Sequence, residues 1–170
     1  MNKNRKTLYI MCGPAGSGKT TWVREHATPG VSAHISRDRI RFELVHPDDY
    51  YFSREEYVYE AFIEQCAQAL MSSWVDEVYA DATHLTKKSR AKLVSEVERH
   101  TNCDFDLIAI VVKPELEQCL AQNAQRTGRE CVPETVIRNM YNSYQSPLQD
   151  NLRYDMIIEN DICIYGTEGN

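Results

Sequence analysis

Gly13-Pro14-Ala15-Gly16-Ser17-Gly18-Lys19-Thr20 decides the reading of this chain. It follows the short apolar run Thr7–Cys12 (TLYIMC) and opens a helical stretch from Lys19 to about His26. The pattern is G-x-x-x-x-G-K-[ST] in the context it demands, strand before and helix after. The glycines let the backbone curl so that successive N–H groups point at phosphate oxygens, and the helix start adds its positive dipole end. The expected nucleotide contacts run from Gly13 through Thr21, with Lys19 reaching the β- and γ-phosphates and Thr20 offering its hydroxyl to Mg²⁺. The loop implies nucleotide binding, with ATP the expected donor, but by itself names no reaction.

Outward from this loop, strands and helices alternate. Val31–Ser36 reads as a second strand and Arg37–Val45 as a short helix stopped by His46-Pro47. Asp48–Phe52 is a loop. Ser53-Arg54-Glu55-Glu56 has the S-x-x-E form of a capping box and predicts a helix to about Ser73, burying Tyr57, Ala61, Ile63, Ala67 and Leu70. Val75–Ala80 is a third strand, ending at Asp81. Thr86 is placed to cap a helix to about His100. Phe105–Val112 is strongly strand-like. Lys113-Pro114 reads as a helix start, with the helix giving out near Thr127-Gly128, and Pro133 starts one more helix to about Tyr144. Met156–Glu159 and Ile162–Tyr165 supply the final strands. The expected fold is α/β: a phosphate-loop NTPase fold, a parallel sheet with helices on both faces, formed by one domain over residues 1–170. Residues 123–133 would form an arginine-bearing lid.

The bulk numbers bound the function classes. A chain of 170 residues with 42% hydrophobic and 26% charged residues fits one ordinary globular domain. No stretch approaches the roughly 20 apolar residues of a membrane helix, no membrane partner is expected, and the polar, basic N-terminus lacks a signal-peptide pattern. An intracellular, cytoplasmic protein is therefore expected. The six cysteines are scattered without a C-x-x-C pair, which argues for thiols and against zinc. Cys12 and Cys163 are expected in the core and Cys131 at the surface. The net charge of −6 argues against a large non-specific nucleic-acid surface. Nothing in the sequence marks the oligomeric state.

Parallel sheets bind ligands at the C-terminal ends of their strands, so the polar residues there carry the chemistry. After the second strand comes Ser36-Arg37-Asp38-Arg39-Ile40-Arg41. Asp38 among arginines should stay ionised and accept a hydroxyl proton during phosphoryl transfer. Arg41, one turn on, flanks the same acceptor. The plainer alternative makes Asp38 a helix N-cap. After the third strand, Asp81 is a single carboxylate, suited to Mg²⁺. AAA-type ATPases are usually larger and end a strand in paired acids, so phosphoryl transfer is expected rather than hydrolysis. Arg126 and Arg129 stand where a helix ends and a polar loop begins, placed to close over the triphosphate; alternatively they decorate a helix C-terminus. The aromatic groups Tyr50-Tyr51-Phe52 and Tyr57-Tyr59-Phe62 read either as base-stacking residues or as loop anchors and core.

Together, GPAGSGKTTWVRE (13–25), SRDRIR (36–41) and QNAQRTGRECVPETVIRNMYNSY (122–144) resemble the phage-type polynucleotide kinases, 5′-hydroxyl kinases of the phosphate-loop superfamily. The resemblance covers nearly the whole chain. It implies Lys19 and Thr20 for triphosphate and Mg²⁺, Asp38 as general base, and Arg41 on the phosphate 3′ to the acceptor nucleotide. It also implies Arg126 as lid arginine and Asp81-Ala82-Thr83-His84 as a D-x-T-N-like segment, with Thr83 and His84 lining the acceptor cleft; read alone, a histidine at a strand end is more often a packed or solvated side chain. Its implied partner is a nucleic-acid 5′ end. Gln122 departs from a position that can carry a further lid arginine, and Arg129 is the candidate to compensate. Two other readings stay open: a kinase for a small-molecule hydroxyl such as a sugar, antibiotic or nucleotide-sugar, and a nucleotide-dependent regulatory ATPase. DNA against RNA, and ATP against GTP, have no marker in the sequence.

Overall fold

The computed structural model describes residues 5–166. Six strands form one sheet in the order β2-β3-β1-β4-β5-β6. In chain order the strands are β1 (Lys6–Cys12), β2 (Ser32–Ser36), β3 (Glu77–Asp81), β4 (Phe105–Val111), β5 (Met156–Glu159) and β6 (Ile162–Tyr165). β1 is central, paired in parallel with β3 and β4. The first five strands are parallel, as expected of βαβ units. β6 turns back antiparallel on β5. Its two-residue turn, Asn160-Asp161, has positive φ at both positions, the requirement of a tight primed hairpin turn.

The central strands are apolar on both faces because helices cover both. Leu8, Ile10 and Cys12 join the larger core with Val58, Phe62, Cys66 and Leu70 of α3 (Glu55–Met71) and Leu93 and Val97 of α4 (Lys87–His100). The intervening Tyr9 and Met11 point the other way, toward Trp22 and Val23 of α1 (Lys19–His26). The remaining helices are α2 (Arg37–Leu44), α5 (Leu116–Ala124) and α6 (Glu134–Asn142). Strand and helix ends fall within a few residues of expectation, and α1 begins at Lys19 as read. Thr86 caps α4 through a capping box with Ser89.

Several local expectations are corrected. The Ser53–Glu56 box does not form: α3 starts at Glu55, behind Arg54, with no side-chain cap. The buried face of α3 is Val58, Phe62, Ile63, Cys66, Ala67 and Leu70, and Tyr57 is exposed. Ile63, Ala67 and Leu70 of the expected stripe are buried and Ala61 is partly covered, while Val58 and Phe62 take the core positions in place of Tyr57. Pro114 lies before α5 rather than in its first turn, α5 ends at Ala124, and Pro133 is the residue before α6. Cys12 is buried and Cys131 exposed, but Cys163, on edge strand β6, is only partly covered.

Candidate active site

The phosphate loop closes tightly on its neighbours. A Cβ on Gly13 would lie 2.1 Å from the Val112 carbonyl oxygen, and one on Gly16 would lie 2.3 Å from that of Cys119. Only glycine permits these approaches at positive φ. Gly18 precedes α1 and supplies no side-chain cap, so the first N–H groups of the helix stay open to an anion. Lys19 is buried; its Nζ donates to the Pro14 carbonyl at 2.8 Å and to Ser17 Oγ at 3.4 Å. Burial lowers the Lys19 pKa and the charge of Arg126 adds to this, while Asp81 and Asp38 oppose it. Lys19 thus senses the charges of Asp81, Asp38 and Arg126, and the Arg126 side chain itself is exposed.

The Thr20 hydroxyl donates to Asp81 Oδ2 at 2.8 Å, and His34 Nε2 donates to the same oxygen at 2.8 Å. Burial would raise the Asp81 pKa, but the His34 bond, the Lys19 charge and the Thr20 bond hold it below the usual carboxylate range. A hydroxyl beside an ionised carboxylate is a hard-oxygen pair that fits Mg²⁺, which takes few protein ligands and fills its shell with water and phosphate oxygens. Among the described residues no group of three or more His, Cys, Asp or Glu could hold a metal alone. Thr83 reaches the loop through its backbone, accepting from Gly13 N at 2.9 Å.

Across the cleft, Ser36 caps α2 by accepting from Arg39 N. The N-cap role is therefore not Asp38's. Asp38, in the first turn, keeps 69% of its side chain exposed, and Arg41 Nη1 bonds its Oδ1. The Tyr51 hydroxyl lies 3.4 Å from that same oxygen. Oδ2 takes no bond among the described residues. Arg41 is buried. Glu55, at the start of α3, grips it from behind with Nε–Oε2 and Nη2–Oε1 both at 2.9 Å, and also pairs with Arg37. Burial would raise the Glu55 pKa, but the two guanidiniums outweigh it and lower it. The Asp38–Arg41–Glu55 chain thus fixes one arginine edge on Asp38 and the other on Glu55. Sequence reasoning missed Glu55; it assigned capping to Glu56, one residue away, and no spacing rule ties residue 55 to residue 41.

Two expected roles change. Arg129 does not join the phosphate loop. Both its terminal nitrogens donate to the Val45 carbonyl, at 3.2 and 3.3 Å, and its guanidinium stacks over Phe42 and Tyr51. Asn123 clamps the same segment, with Nδ2 to the Val132 carbonyl at 2.7 Å and Oδ1 accepting from Val132 N at 3.0 Å. Nor does His84 line an open cleft. Its ring is buried, at positive φ, and Nδ1 donates to the Met11 carbonyl at 2.9 Å. Burial pushes its pKa down to about 4, so the ring is neutral and serves as packing. A second unread feature anchors this segment: fully buried Arg90 pairs with Asp150 at 2.6 and 2.7 Å and donates to the carbonyls of His84 and Gln145.

Comparison with known proteins agrees with this architecture. A chain of the Pnkp1/Rnl/Hen1 RNA repair complex superposes with a TM-score of 0.64 at 21% identity, covering 84% of this chain. This chain spans only 45% of that one. A fungal RNA kinase superposes at 0.60 with 18% identity, over 98% of this chain and 80% of the other. A gluconokinase from Sinorhizobium meliloti 1021 superposes at 0.53 with 13% identity, over 91% and 84%. At such identities the likeness is one of fold, and the fold is that of phosphate-loop kinases. No curated protein matches by sequence. Residues 8–147, most of the chain, match the AAA_33 family, described as an AAA domain, and the protein belongs to it.

Proposed function

We propose that this protein is an ATP-dependent polynucleotide 5′-hydroxyl kinase, converting ATP and a 5′-hydroxyl end to ADP and a 5′-phosphate end. The observation that carries the reading is Asp38, exposed beside the phosphate loop, with Oδ1 occupied by Arg41 and Oδ2 free for a hydroxyl. The fold likeness to an RNA kinase and to an RNA repair complex supports the acceptor class.

In this reading the loop amides and Lys19 hold the triphosphate, and Thr20 and Asp81 would hold Mg²⁺. The bound ion would neutralise charge on the β- and γ-phosphates. Asp38 accepts the hydroxyl proton as the acceptor oxygen bonds the γ-phosphorus and the bond to the β–γ bridging oxygen breaks, releasing ADP. Arg41 holds the phosphate 3′ to the acceptor nucleoside. Arg126 closes on the donor phosphates and, with the lid, excludes water. A cytoplasmic setting, where ATP and thiols are both maintained, belongs to this proposal.

The net charge of −6 favours a second reading, a kinase of the same fold for a small-molecule hydroxyl. Transfer from γ-labelled ATP separates the two. Three acceptors are compared: a 5′-hydroxyl oligonucleotide, its 5′-phosphorylated twin, and a panel of sugars including gluconate. Label on the 5′-hydroxyl strand alone supports the polynucleotide reading. Label on a sugar, and on neither strand, overturns it. ATP consumption without any labelled acceptor would point to a regulatory ATPase.

A further inference from the structure

Beside Asp38 the loop between α2 and α3 carries three consecutive aromatics. Tyr51 faces inward, its hydroxyl 3.4 Å from both Asp38 Oδ1 and Arg41 Nη1. Tyr50 and Phe52 face outward, 73% and 51% exposed. The three rings brace one another edge to face, with centroids 4.9 Å apart for Tyr51–Phe52 and 5.9 Å for Tyr50–Phe52. The Arg41 guanidinium lies 4.9 Å from the Tyr51 ring and 5.3 Å from that of Phe52. Arg129 of the lid lies 5.3 Å from Tyr51. Two cations thus pin the inner ring of Tyr51, and Arg41 also braces Phe52, while much of the Tyr50 and Phe52 surface stays open.

An exposed aromatic pair held this firmly costs little further ordering when a flat ring stacks on it. Its surroundings limit what that ring belongs to. With Glu55 paired to Arg37 and Arg41, Asp48, Asp49 and Glu56 against Arg54 still leave the segment acidic, which disfavours a long phosphate tract and suits an uncharged heterocycle. The platform is continuous with Asp38 and Arg41, so the ring it meets is the one attached to the reacting sugar. We propose that Tyr50 and Phe52 form a stacking platform for the base of the acceptor's 5′-terminal nucleoside. This rests on the polynucleotide kinase reading above.

The test compares a 5′-hydroxyl oligonucleotide with a twin whose 5′-terminal residue is an abasic tetrahydrofuran nucleotide. Wild type, Tyr50→Ala, Phe52→Ala and Phe52→Trp are measured on both. Base stacking of this kind predicts a wild-type KM lower for the intact end by about 5- to 150-fold. Tyr50→Ala and Phe52→Ala lose most of that preference without changing KM for the abasic end, and Phe52→Trp keeps it. Equal KM values for both ends in wild type, or an undiminished preference in both alanine variants, overturn the platform while leaving the kinase reading standing. So does an equal loss on both ends, which would mean that the rings only support Arg41. No transfer to either strand by wild type overturns the kinase reading and the platform with it.

Discussion

Around Lys19 the cleft is shaped by backbone: glycines at Gly13 and Gly16 press against the carbonyls of Val112 and Cys119, and open amides begin α1. Around Asp38 it is shaped by side chains from four separate stretches, with Arg41 from α2, Tyr51 from the following loop, Glu55 from α3 and Arg129 from the lid. The first construction is compact in sequence and intolerant of any added atom. The second is distributed along the chain and is built from side chains rather than backbone. Damage on the phosphate-loop side should therefore remove nucleotide and transfer together. Damage on the Asp38 side should spare nucleotide and touch only the acceptor.

The largest expected effect is Lys19→Ala. It removes the buried charge that, in the proposed function, holds the β- and γ-phosphates, and should lower transfer by about 10³-fold or more, with ATP affinity falling in parallel by isothermal titration. Retained transfer would break the comparison on its first side. Next comes the buried ion pair that anchors the His84 segment. Asp150→Ala strands fully buried Arg90 and should cost about 3–5 kcal/mol of unfolding free energy in a urea titration.

His84 gives a pH signature of similar origin. Its pKa is about 4 in the fold against an ordinary 6.5. Between those values the unfolded chain binds the extra proton, so this contribution is complete above about pH 6.5 and is lost as pH falls toward about 4. The loss is on the order of 3 kcal/mol, and His84→Asn should flatten that part of the stability–pH profile. The smallest effect sharpens the comparison most. Arg129→Ala should raise acceptor KM by about ten-fold, the scale of a desolvated cation–π contact, and leave ATP affinity unchanged. A loss confined to ATP would return Arg129 to the donor phosphates.

The sheet was legible because its strands are short apolar runs bounded by glycine, proline or helix caps, and because a contiguous eight-residue motif ties strand to helix. The phosphate loop was legible for the same reason. What was hidden depends on contacts between distant residues. Ser53 and Glu56 have the letters of a capping box, but α3 begins too late to use them. Glu55 has no local pattern pointing to Arg41, and Arg129 meets the Val45 carbonyl, 84 residues before it in the chain, and the rings of Phe42 and Tyr51. The Asn160-Asp161 turn is readable from its residue types. Positive φ at His84 has no such signal in its neighbours, and the ring's partner, Met11, lies 73 residues away.

The most direct test of the account measures ATP affinity and phosphoryl transfer on one preparation of Asp38→Asn, whose exposed side chain should be replaceable without unfolding. The account predicts wild-type ATP affinity with transfer to a 5′-hydroxyl oligonucleotide slowed by about 10²- to 10⁴-fold. Undiminished transfer, or a matching loss of ATP binding, would contradict it.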